Sequence, residues 1–319
     1  MMRYPVWMMV RRVSFDDIAQ SWLDYVKTAR KPTTYDKYQG IYKKYISPFI
    51  KDMPYKKIDN NSVKTIYSEK IRPVGMDKST SIQKMIIIVL NQILSYGNEN
   101  YNLDLIRIKS SIPKSICPTA EIFSDDEQKK LIKYVNSDIN VSKLGILLCL
   151  FTGLRLGEIC ALRWEDIDMQ RGTLNVCRTV HRVSAKNGNF KTKLTIDLPK
   201  SKSSNRVIPL PDDLIVILNN QQNCGGYLLH SSKPTDPRTF EYRFDKMLKE
   251  CGITHKNFHV LRHTFATNCI LNGMDMKSLS EILGHSSVQI TMDRYVHPLM
   301  EQKRVHMNRL FSMFKVYCA

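Results

Sequence analysis

A short aperiodic segment about one third of the way along the chain constrains its fold more than any other feature. Between Ile112 and Ala120 the sequence contains two prolines and has neither helical nor strand periodicity. Proline removes a backbone donor and disfavours helix at the preceding residue, so an extended connection is expected here. Ser124 and Glu127 follow at the spacing of a capping box, which predicts that a new helix begins at this point. We therefore expect the 319 residues to form two domains.

The part before this segment has the pattern of a small helical domain. Ser14 is placed to cap a helix, and apolar residues recur at helical spacing from there to Val26. Three further helices are predicted: one that starts after Pro32 and stops before Pro48, and two near 60–70 and 78–96.

The part after the segment mixes helical and strand-like patterns. Three runs have the residue types of strands, and helical spacing returns after Pro211. The second and third runs flank the polar, turn-forming residues 199–205, so they are predicted to form a hairpin. The expected fold class is mainly α with a small antiparallel β-sheet, in a helical domain and a mixed α/β domain. The predicted elements are helices near 124–136 and 142–152, a helix after Gly153, and strands in 173–183, 193–198 and 206–210.

The charge of the chain narrows the classes of partner. There are 48 Lys and Arg residues against 30 Asp and Glu, a formal net charge of +18, and both parts of the chain are basic. A basic surface can be simply solvated, but it is also the usual footprint of a protein that binds nucleic acid. We see no basic amphipathic segment of the interfacial type, so a membrane surface is the less favoured partner.

The apolar and cysteine content is typical of a cytoplasmic protein. The longest apolar run, around 144–154, is about half the length needed to cross a bilayer, and the N-terminus does not resemble a signal peptide. Eight cysteines are scattered without a Cys-x-x-Cys pair, as expected of reduced thiols. We therefore expect no membrane association.

Two groups of residues in the second part have a chemistry suited to phosphate. Arg155 lies between Gly153 and Gly157, which allow another backbone to come close. His259 and Arg262 are three residues apart at the start of a predicted helix, so their side chains share a face. Arginine offers a fork of donors that matches phosphate oxygens, and histidine exchanges protons near neutral pH. The structural alternatives are a helix break whose arginine pairs with the acid three residues later, and a solvated helix surface.

Zinc binding is a competing interpretation of the histidines. His259 and His263 have the i, i+4 spacing of two zinc ligands on one helix. The glutamate of the His-Glu-x-x-His pattern is absent, however, and the cation at Arg262 would repel a metal. We therefore predict no metal site.

Tyr295, ten residues after His285, is the candidate nucleophile. A phenol with a pKa near 10 costs roughly 4 kcal/mol to ionise at pH 7. Arginines and a histidine around one phosphate would offset that cost, since they stabilise the developing charge and accept the proton. A lysine in the turn near residue 200 would act as the acid for the leaving oxygen. Taken alone, such a tyrosine is more often a packed aromatic, and such a lysine is more often solvated.

Three motifs in order resemble those of the tyrosine recombinase (phage integrase) family. They are Thr-Gly-Leu-Arg-Leu-Gly-Glu around Arg155, His-Val-Leu-Arg-His-Thr-Phe-Ala-Thr from His259, and Leu-Gly-His-Ser-Ser-Val-Gln-Ile-Thr-Met-Asp-Arg-Tyr-Val-His ending beyond Tyr295. The resemblance implies that Arg155 and Arg262 clamp the scissile phosphate and that His259 assists proton transfer. It further implies that His285 donates a hydrogen bond to the phosphate and that Tyr295 attacks it.

The resemblance also implies a catalytic lysine before the strand Arg206-Val-Ile-Pro209. Lys200 is the first choice because it follows a proline, as in related hairpins. Lys202 fits the distance to that strand nearly as well, so the assignment stays open between the two.

As a member of this family the chain would be a site-specific recombinase or integrase of a mobile element, acting through a 3′-phosphotyrosyl link. It would need no cofactor, metal or ATP. Its partners would be a double-stranded DNA recombination site, further copies of itself in a synaptic tetramer, and an accessory directionality protein, and it would associate with the bacterial nucleoid. The implied layout is an N-terminal extension (1–13), a helical core-binding domain (14–112), a linker (113–120), a catalytic domain (121–297) and a C-terminal helical tail (298–319). The apolar residues of the tail leave two alternatives open: it packs on its own domain, or it docks on a neighbouring protomer as such tails often do in this family.

The residues leave open two other functions and the question of whether an arm-binding domain precedes the core-binding domain. A type IB topoisomerase would use nearly the same side chains to relax supercoils without pairing two duplexes. A non-catalytic regulator would use residues 274–297 as a helix-turn-helix, which leaves Arg155 without a role. Family members with an arm-binding domain carry it before the core-binding domain, and the resemblance leaves open whether such a domain is absent here or missing from the start.

Overall fold

The computed structural model places the chain in two compact units. The first contains the described residues up to 109, and the second those from 121 onward, except that the short pieces 183–184 and 192–193 group with the first. The mainly helical structure with a small antiparallel sheet confirms the predicted fold class. The described residues are 13–76, 78–109, 121–184, 192–197, 204–221, 225–230, 232–295, 304, 307, 308, 310 and 311.

The first unit is a bundle of helices around its own apolar core. Its α-helices are α1 (Phe15–Ala29), α2 (Pro32–Ile41), α3 (Ser47–Ile50), α4 (Asn60–Ile66), α5 (Arg72–Met76) and α6 (Thr80–Tyr101). The cap predicted at Ser14 is confirmed, because its hydroxyl accepts a hydrogen bond from the Asp17 amide (3.3 Å) and its amide donates to the Asp17 carboxylate (2.7 Å). The apolar face of α1 is buried, and Trp22 stacks on Tyr38 of α2 with ring centroids 5.6 Å apart.

The prediction that the second helix stops before Pro48 is wrong. A π-helical turn, Tyr42–Ile46, follows α2 directly, and Pro48 lies in the first turn of α3. Proline is tolerated at that position because the first amides of a helix have no helical partner in any case. The chain therefore stays helical as far as Ile50.

The second unit packs its helices around one that is buried along nearly its whole length. Its helices are α7 (Asp125–Ser137), α8 (Val141–Thr152), α9 (Leu156–Ala161), α10 (Asp212–Gln221), α11 (Pro237–Glu250), α12 (Val260–Leu271), α13 (Met276–Leu283) and α14 (Val288–Tyr295). Helix α7 begins with the predicted capping box, in which the Ser124 hydroxyl accepts from the Glu127 amide (3.2 Å). Helix α8 is apolar on all sides, as expected of a central helix. Across the described residues, no helix is long and apolar enough to cross a membrane.

The strands of the second unit do not pair as predicted. They are β1 (Ile167–Asp168), β2 (Thr173–Val176), β3 (Thr179–Ser184), β4 (Thr192–Asp197) and β5 (Arg206–Pro209). The predicted hairpin of the last two strands is wrong: β5 pairs with β2 in an antiparallel sheet of order β1-β2-β5, and β4 pairs with β3. Strand β5 buries alternate residues, with Ile208 opposite Leu174 of β2, whereas β4 has no fully buried residue. Strand β5 therefore pairs with the strand against which its apolar face is buried.

Candidate active site

Arg155 is presented by a tight connection between α8 and α9. Gly153 ends α8 in the left-handed region (φ 64°), which glycine adopts at little cost. Gly157 lies so close to β3 that a Cβ atom there would be 2.7 Å from the Val180 carbonyl oxygen. The predicted close approach of another backbone is therefore confirmed, and it holds Arg155 at the start of α9.

A buried carboxylate, Glu158, holds Arg155 and a second arginine, Arg206 of β5. Its Oε1 atom is 2.8 Å from Arg155 Nη1, and its Oε2 atom is 2.9 Å from Arg206 Nη2. Burial alone would raise the pKa of Glu158, but Arg206 and then Arg155 lower it to about 2. The ion pair between Arg155 and Glu158, which the interpretation of this segment as a simple helix break also predicts, is therefore present. It anchors Arg155 without enclosing it, since the arginine side chain remains 36% exposed.

The C-terminal end of α13 anchors three arginines through three consecutive carbonyl groups. The pairs are Arg206 Nε with Ile282 (2.5 Å), Arg262 Nη2 with Leu283 (2.6 Å) and Arg155 Nη2 with Gly284 (3.1 Å). The last carbonyls of a helix lack helical partners and carry partial negative charge, so cations are favourable there. Ile282 and the first two residues of the Leu-Gly-His motif thus supply acceptors for arginines that come from three other elements.

Arg262 is almost completely enclosed, with 1% of its surface exposed. Its Nη1 atom donates to the Gly153 carbonyl at 2.7 Å, so the guanidinium joins the end of α8 to the end of α13. Burial, followed by the charge of Arg155, lowers the pKa of Arg262 to about 9, which leaves it charged at neutral pH. Glu158 offsets only part of this positive charge, and an anion beside the guanidinium would be stabilised.

The two histidines of the predicted site are neutral at pH 7. His259 is the N-cap residue of α12, and His285 follows the left-handed Gly284 with its Nδ1 atom 2.8 Å from Thr291 Oγ1. Burial, followed by neighbouring positive charges that include Arg262 and Arg155, lowers the pKa of His259 to about 4 and that of His285 to about 3. Each ring can therefore donate one hydrogen bond and accept another.

These side chains surround one open cleft of about 320 Å³. Three arginines and two histidines line it: Arg155, Arg262, Arg294, His259 and His285. No acidic side chain is among the described residues that line it. A small cleft with several guanidinium donors and neutral imidazoles is suited to one phosphate group.

Tyr295, the last residue of α14, lies beside this cleft rather than in its lining. Its ring packs on a small apolar cluster that includes Phe265 and Leu279, and its hydroxyl is 2.8 Å from His263 Nδ1. Burial raises the pKa of Tyr295, although Arg262 and other arginines act in the opposite direction. The phenol is therefore protonated in the protein without a bound anion.

The structure brings together five of the six predicted site residues. Arg155, His259, Arg262 and His285 line the cleft, and Tyr295 adjoins it. Lys200, the sixth, and its alternative Lys202 lie outside the described residues. Ser204, two positions after Lys202, lines the cleft.

Three residues of the site were missed by reasoning from the sequence. Arg206 served only as a landmark for the strand, His263 was considered only as a zinc ligand, and Arg294 was given no role. Alternation along β5 would indicate that Arg206 points inward, because Ile208 does. The partner of His263 has no local signal, since Tyr295 is 32 positions away. Among the described residues, no group of three or more His, Cys, Asp and Glu side chains is arranged to hold a metal ion.

Models of known protein families match segments of both units. Residues 121–302 match the model described as the phage integrase family, and residues 14–71 match that of the phage integrase N-terminal SAM-like domain. A XerC-like tyrosine recombinase of Caldanaerobacter subterraneus is 30% identical, over 95% of this chain and 84% of that protein. The transposase of transposon Tn916 from Enterococcus faecalis is 26% identical, over 66% of this chain and 55% of that protein.

Solved structures share the fold of the chain. The Tn1549 transposon integrase, in complex with transposon right-end DNA, superposes with a TM-score of 0.71 at 18% identity, over 93% of this chain and 99% of that one. The lambda integrase bound to DNA gives a TM-score of 0.60 at 17% identity, over 90% and 98%. Since one family model alone covers more than half of the sequence, the chain belongs to the phage integrase family, that is, to the tyrosine-type site-specific recombinases.

Proposed function

We propose that this protein cuts and rejoins double-stranded DNA at a recombination site, with Tyr295 forming a 3′-phosphotyrosyl link. The observation that carries this proposal is the arginine-lined cleft of about 320 Å³ with a tyrosine at its edge. The scissile phosphate would occupy the cleft. Relatives named as a recombinase and as a transposase favour the site-specific recombinase of a mobile element.

The two arginines of the motifs would bind the non-bridging oxygens of that phosphate. Arg262 is held by two carbonyl groups, and Arg155 by a carboxylate and a carbonyl, so neither has to be ordered when DNA binds. Donors fixed in advance stabilise the charge of a transition state without a reorganisation cost. We assign this role to both arginines.

The two histidines would be neutral before DNA binds, and a bound phosphate would raise their pKa values. Burial is the largest cause of the depressed pKa values of His259 and His285, and an anion in the cleft would counteract the second cause, the neighbouring positive charges. His285, held by Thr291, would donate a hydrogen bond to a phosphate oxygen, and His259 would accept the proton that Tyr295 loses.

The reaction balances without an external cofactor. The Tyr295 oxygen forms a bond to phosphorus while the bond from phosphorus to the 5′ oxygen breaks. The phenol proton goes to His259, and the 5′ oxygen receives a proton from Lys200 or Lys202. A 5′-hydroxyl from a partner strand then attacks the phosphotyrosine and reverses each transfer. The phosphotyrosyl link retains the energy of the phosphodiester, so neither ATP nor a metal is required by this scheme.

The wider assembly follows from charge and from the relatives. Residues 14–112 would form the core-binding domain, joined by the linker 113–120 to the catalytic domain 121–297, and both would contact the DNA backbone through their basic excess. The structures of the Tn1549 and lambda integrases contain DNA, which supports a DNA site as the partner. We further propose a homo-oligomer on DNA, tetrameric in the synapse, in which the tail 298–319 docks on a neighbour. An accessory directionality protein would bias the outcome, and the protein would act at the nucleoid.

The decisive experiment is covalent trapping on a nicked suicide duplex that carries the recombination site. Wild-type protein should form a covalent protein–DNA complex, and Tyr295→Phe should bind the same DNA without forming one. Tyr242→Phe is the matched control, because that tyrosine is 71% exposed on α11 and should leave the yield unchanged. An adduct that persists in Tyr295→Phe would refute the assignment. Strand exchange between two marked duplexes then separates recombination from simple relaxation of supercoils.

A further inference from the structure

The hydroxyl of Tyr295 has a specific partner in the resting protein. It lies 2.8 Å from Nδ1 of His263, a residue on α12 one helical turn after His259. The rings of His263 and Tyr295 have centroids 5.6 Å apart, and the rings of His263 and His259 are nearly perpendicular with centroids 4.6 Å apart. Both His263 and Tyr295 are half-buried, so water competes little for this hydrogen bond.

The direction of this hydrogen bond follows from the chemistry of the neighbours. His263 is neutral, since burial and then Arg294 lower its pKa to about 4, and a neutral imidazole has one acceptor nitrogen. Arg262, whose charge acts on the tyrosine oxygen and opposes the increase that burial causes in the pKa of Tyr295, can only donate hydrogen bonds. The single proton of the phenol is therefore free to point at Nδ1, and this arrangement requires the His263 tautomer that carries its proton on Nε2.

Packing alone does not determine where the tyrosine oxygen lies. The ring of Tyr295 rests on the apolar cluster of Phe265, Ala266, Leu279 and Leu283, which contacts its carbon atoms. These contacts resist removal of the ring but offer no polar atom to the hydroxyl. His263 supplies that polar atom at the rim of the cleft.

We propose that His263 is the positioning residue of Tyr295, accepting the hydrogen bond of the neutral phenol at Nδ1 and holding its oxygen beside the phosphate cleft. The inference rests on the proposed function, in which Tyr295 is the nucleophile. His263 does not act as the base in this scheme. In the resting protein the pKa of Tyr295 is raised and that of His263 is about 4, so the proton stays on the oxygen, and His259 remains the proton acceptor of the reaction.

The test uses three substitutions that separate the acceptor from the ring. The side-chain amide of His263→Asn reaches the position of Nδ1, that of His263→Gln reaches the position of Nε2, and His263→Leu provides no acceptor. Single-turnover formation of the covalent complex on the nicked duplex is measured together with DNA affinity. We expect His263→Asn to stay within about threefold of wild type. His263→Gln and His263→Leu should lose about tenfold in rate, as expected for one hydrogen bond of about 1.4 kcal/mol, with DNA affinity unchanged.

A second measurement does not depend on cleavage. In protein labelled with ¹³C at tyrosine Cζ, the resonance of Tyr295 is identified by its loss in Tyr295→Phe. It should move in His263→Leu and His263→Gln and remain near its wild-type position in His263→Asn. If wild type forms no covalent complex while this shift pattern holds, the proposed function fails and the contact stands. Equal rates and equal shifts in all three variants, or equal losses in all three, would overturn the positioning role.

Discussion

The substitution Glu158→Gln tests the charge arrangement beneath the cleft most directly. Glu158 is 6% exposed and accepts from the Arg155 amide (2.9 Å) and from both terminal nitrogens of Arg206 (3.1 and 2.9 Å). Glutamine keeps the size of the side chain but removes its charge. It also turns an –NH₂ group toward guanidinium donors, which leaves donors facing a donor.

The size of the effect follows from the pKa of the buried carboxyl. A value of about 2 in the folded protein against 4.5 for the free group corresponds to a contribution of about 3 kcal/mol to folding at neutral pH, at about 1.36 kcal/mol per pKa unit. Removing one partner of a buried ion pair costs about 3–5 kcal/mol in general, which agrees with this figure. Because the folded pKa is depressed, the contribution is complete above pH 4.5 and is lost as the pH falls toward 2.

Urea unfolding of the full chain, followed by tryptophan fluorescence, measures this contribution. Trp164 lies in the second unit, six positions after the substitution, and reports its unfolding. With a slope of about 2–3 kcal/mol per molar urea, the midpoint for Glu158→Gln should fall by about 1 M or more at pH 7. The deficit should shrink between pH 4.5 and 2.5, where wild type loses the same contribution.

The matched control is Glu165→Gln. Glu165 also pairs with arginines, but its side chain is 63% exposed, so its loss should leave the midpoint within experimental error. If Glu158→Gln and Glu165→Gln unfold at the same urea concentration, or if their dependence on pH is the same, the reasoning about the buried cluster is wrong.

Three further predictions concern the backbone, the phosphate clamp and the histidines. Gly157→Ala would place a Cβ 2.7 Å from the Val180 carbonyl oxygen, so a loss of about 1–3 kcal/mol is expected in thermal unfolding; Gly40→Ala, with no atom within 4 Å of its Cβ, should cost nothing. Arg262→Lys cannot reach both carbonyls, so covalent-complex formation should fall by about 10²–10³ with DNA affinity retained; unchanged cleavage would contradict the clamp. His285 has a folded pKa of about 3 against 6.5 when free, so the unbound protein should lose stability as the pH falls below 6.5, and His285→Gln should reduce this slope in urea titrations.

Local signals in the sequence predicted the elements that depend on neighbouring residues. The caps at Ser14 and Ser124 are decided within four residues, and both form as expected. The left-handed end of α8 requires glycine, so Gly153 marks it without knowledge of the fold. Helix boundaries of this kind are properties of the chain itself.

Strand pairing could not be predicted from such local signals. The polar residues between β4 and β5 favour a hairpin, and neighbouring strands pair in most folds. Strand β5 instead lies against β2, about 30 positions earlier, where Ile208 and Leu174 bury each other. A partner at that separation is chosen by the area that both strands bury, which neither strand encodes alone.

For the candidate site, too, the sequence predicted the residues but not the contacts that hold them. The resemblance of three ordered motifs to those of the tyrosine recombinase family identified Arg155, His259, Arg262, His285 and Tyr295 as one set, and arginine and histidine side chains suit the chemistry of phosphate transfer. How each one is held was decided by tertiary structure. The helix end that anchors the arginines, the buried acid Glu158 and the contact of Tyr295 with His263 join residues far apart in the chain. Partial or complete burial strengthens these contacts, and burial is a property of the folded molecule.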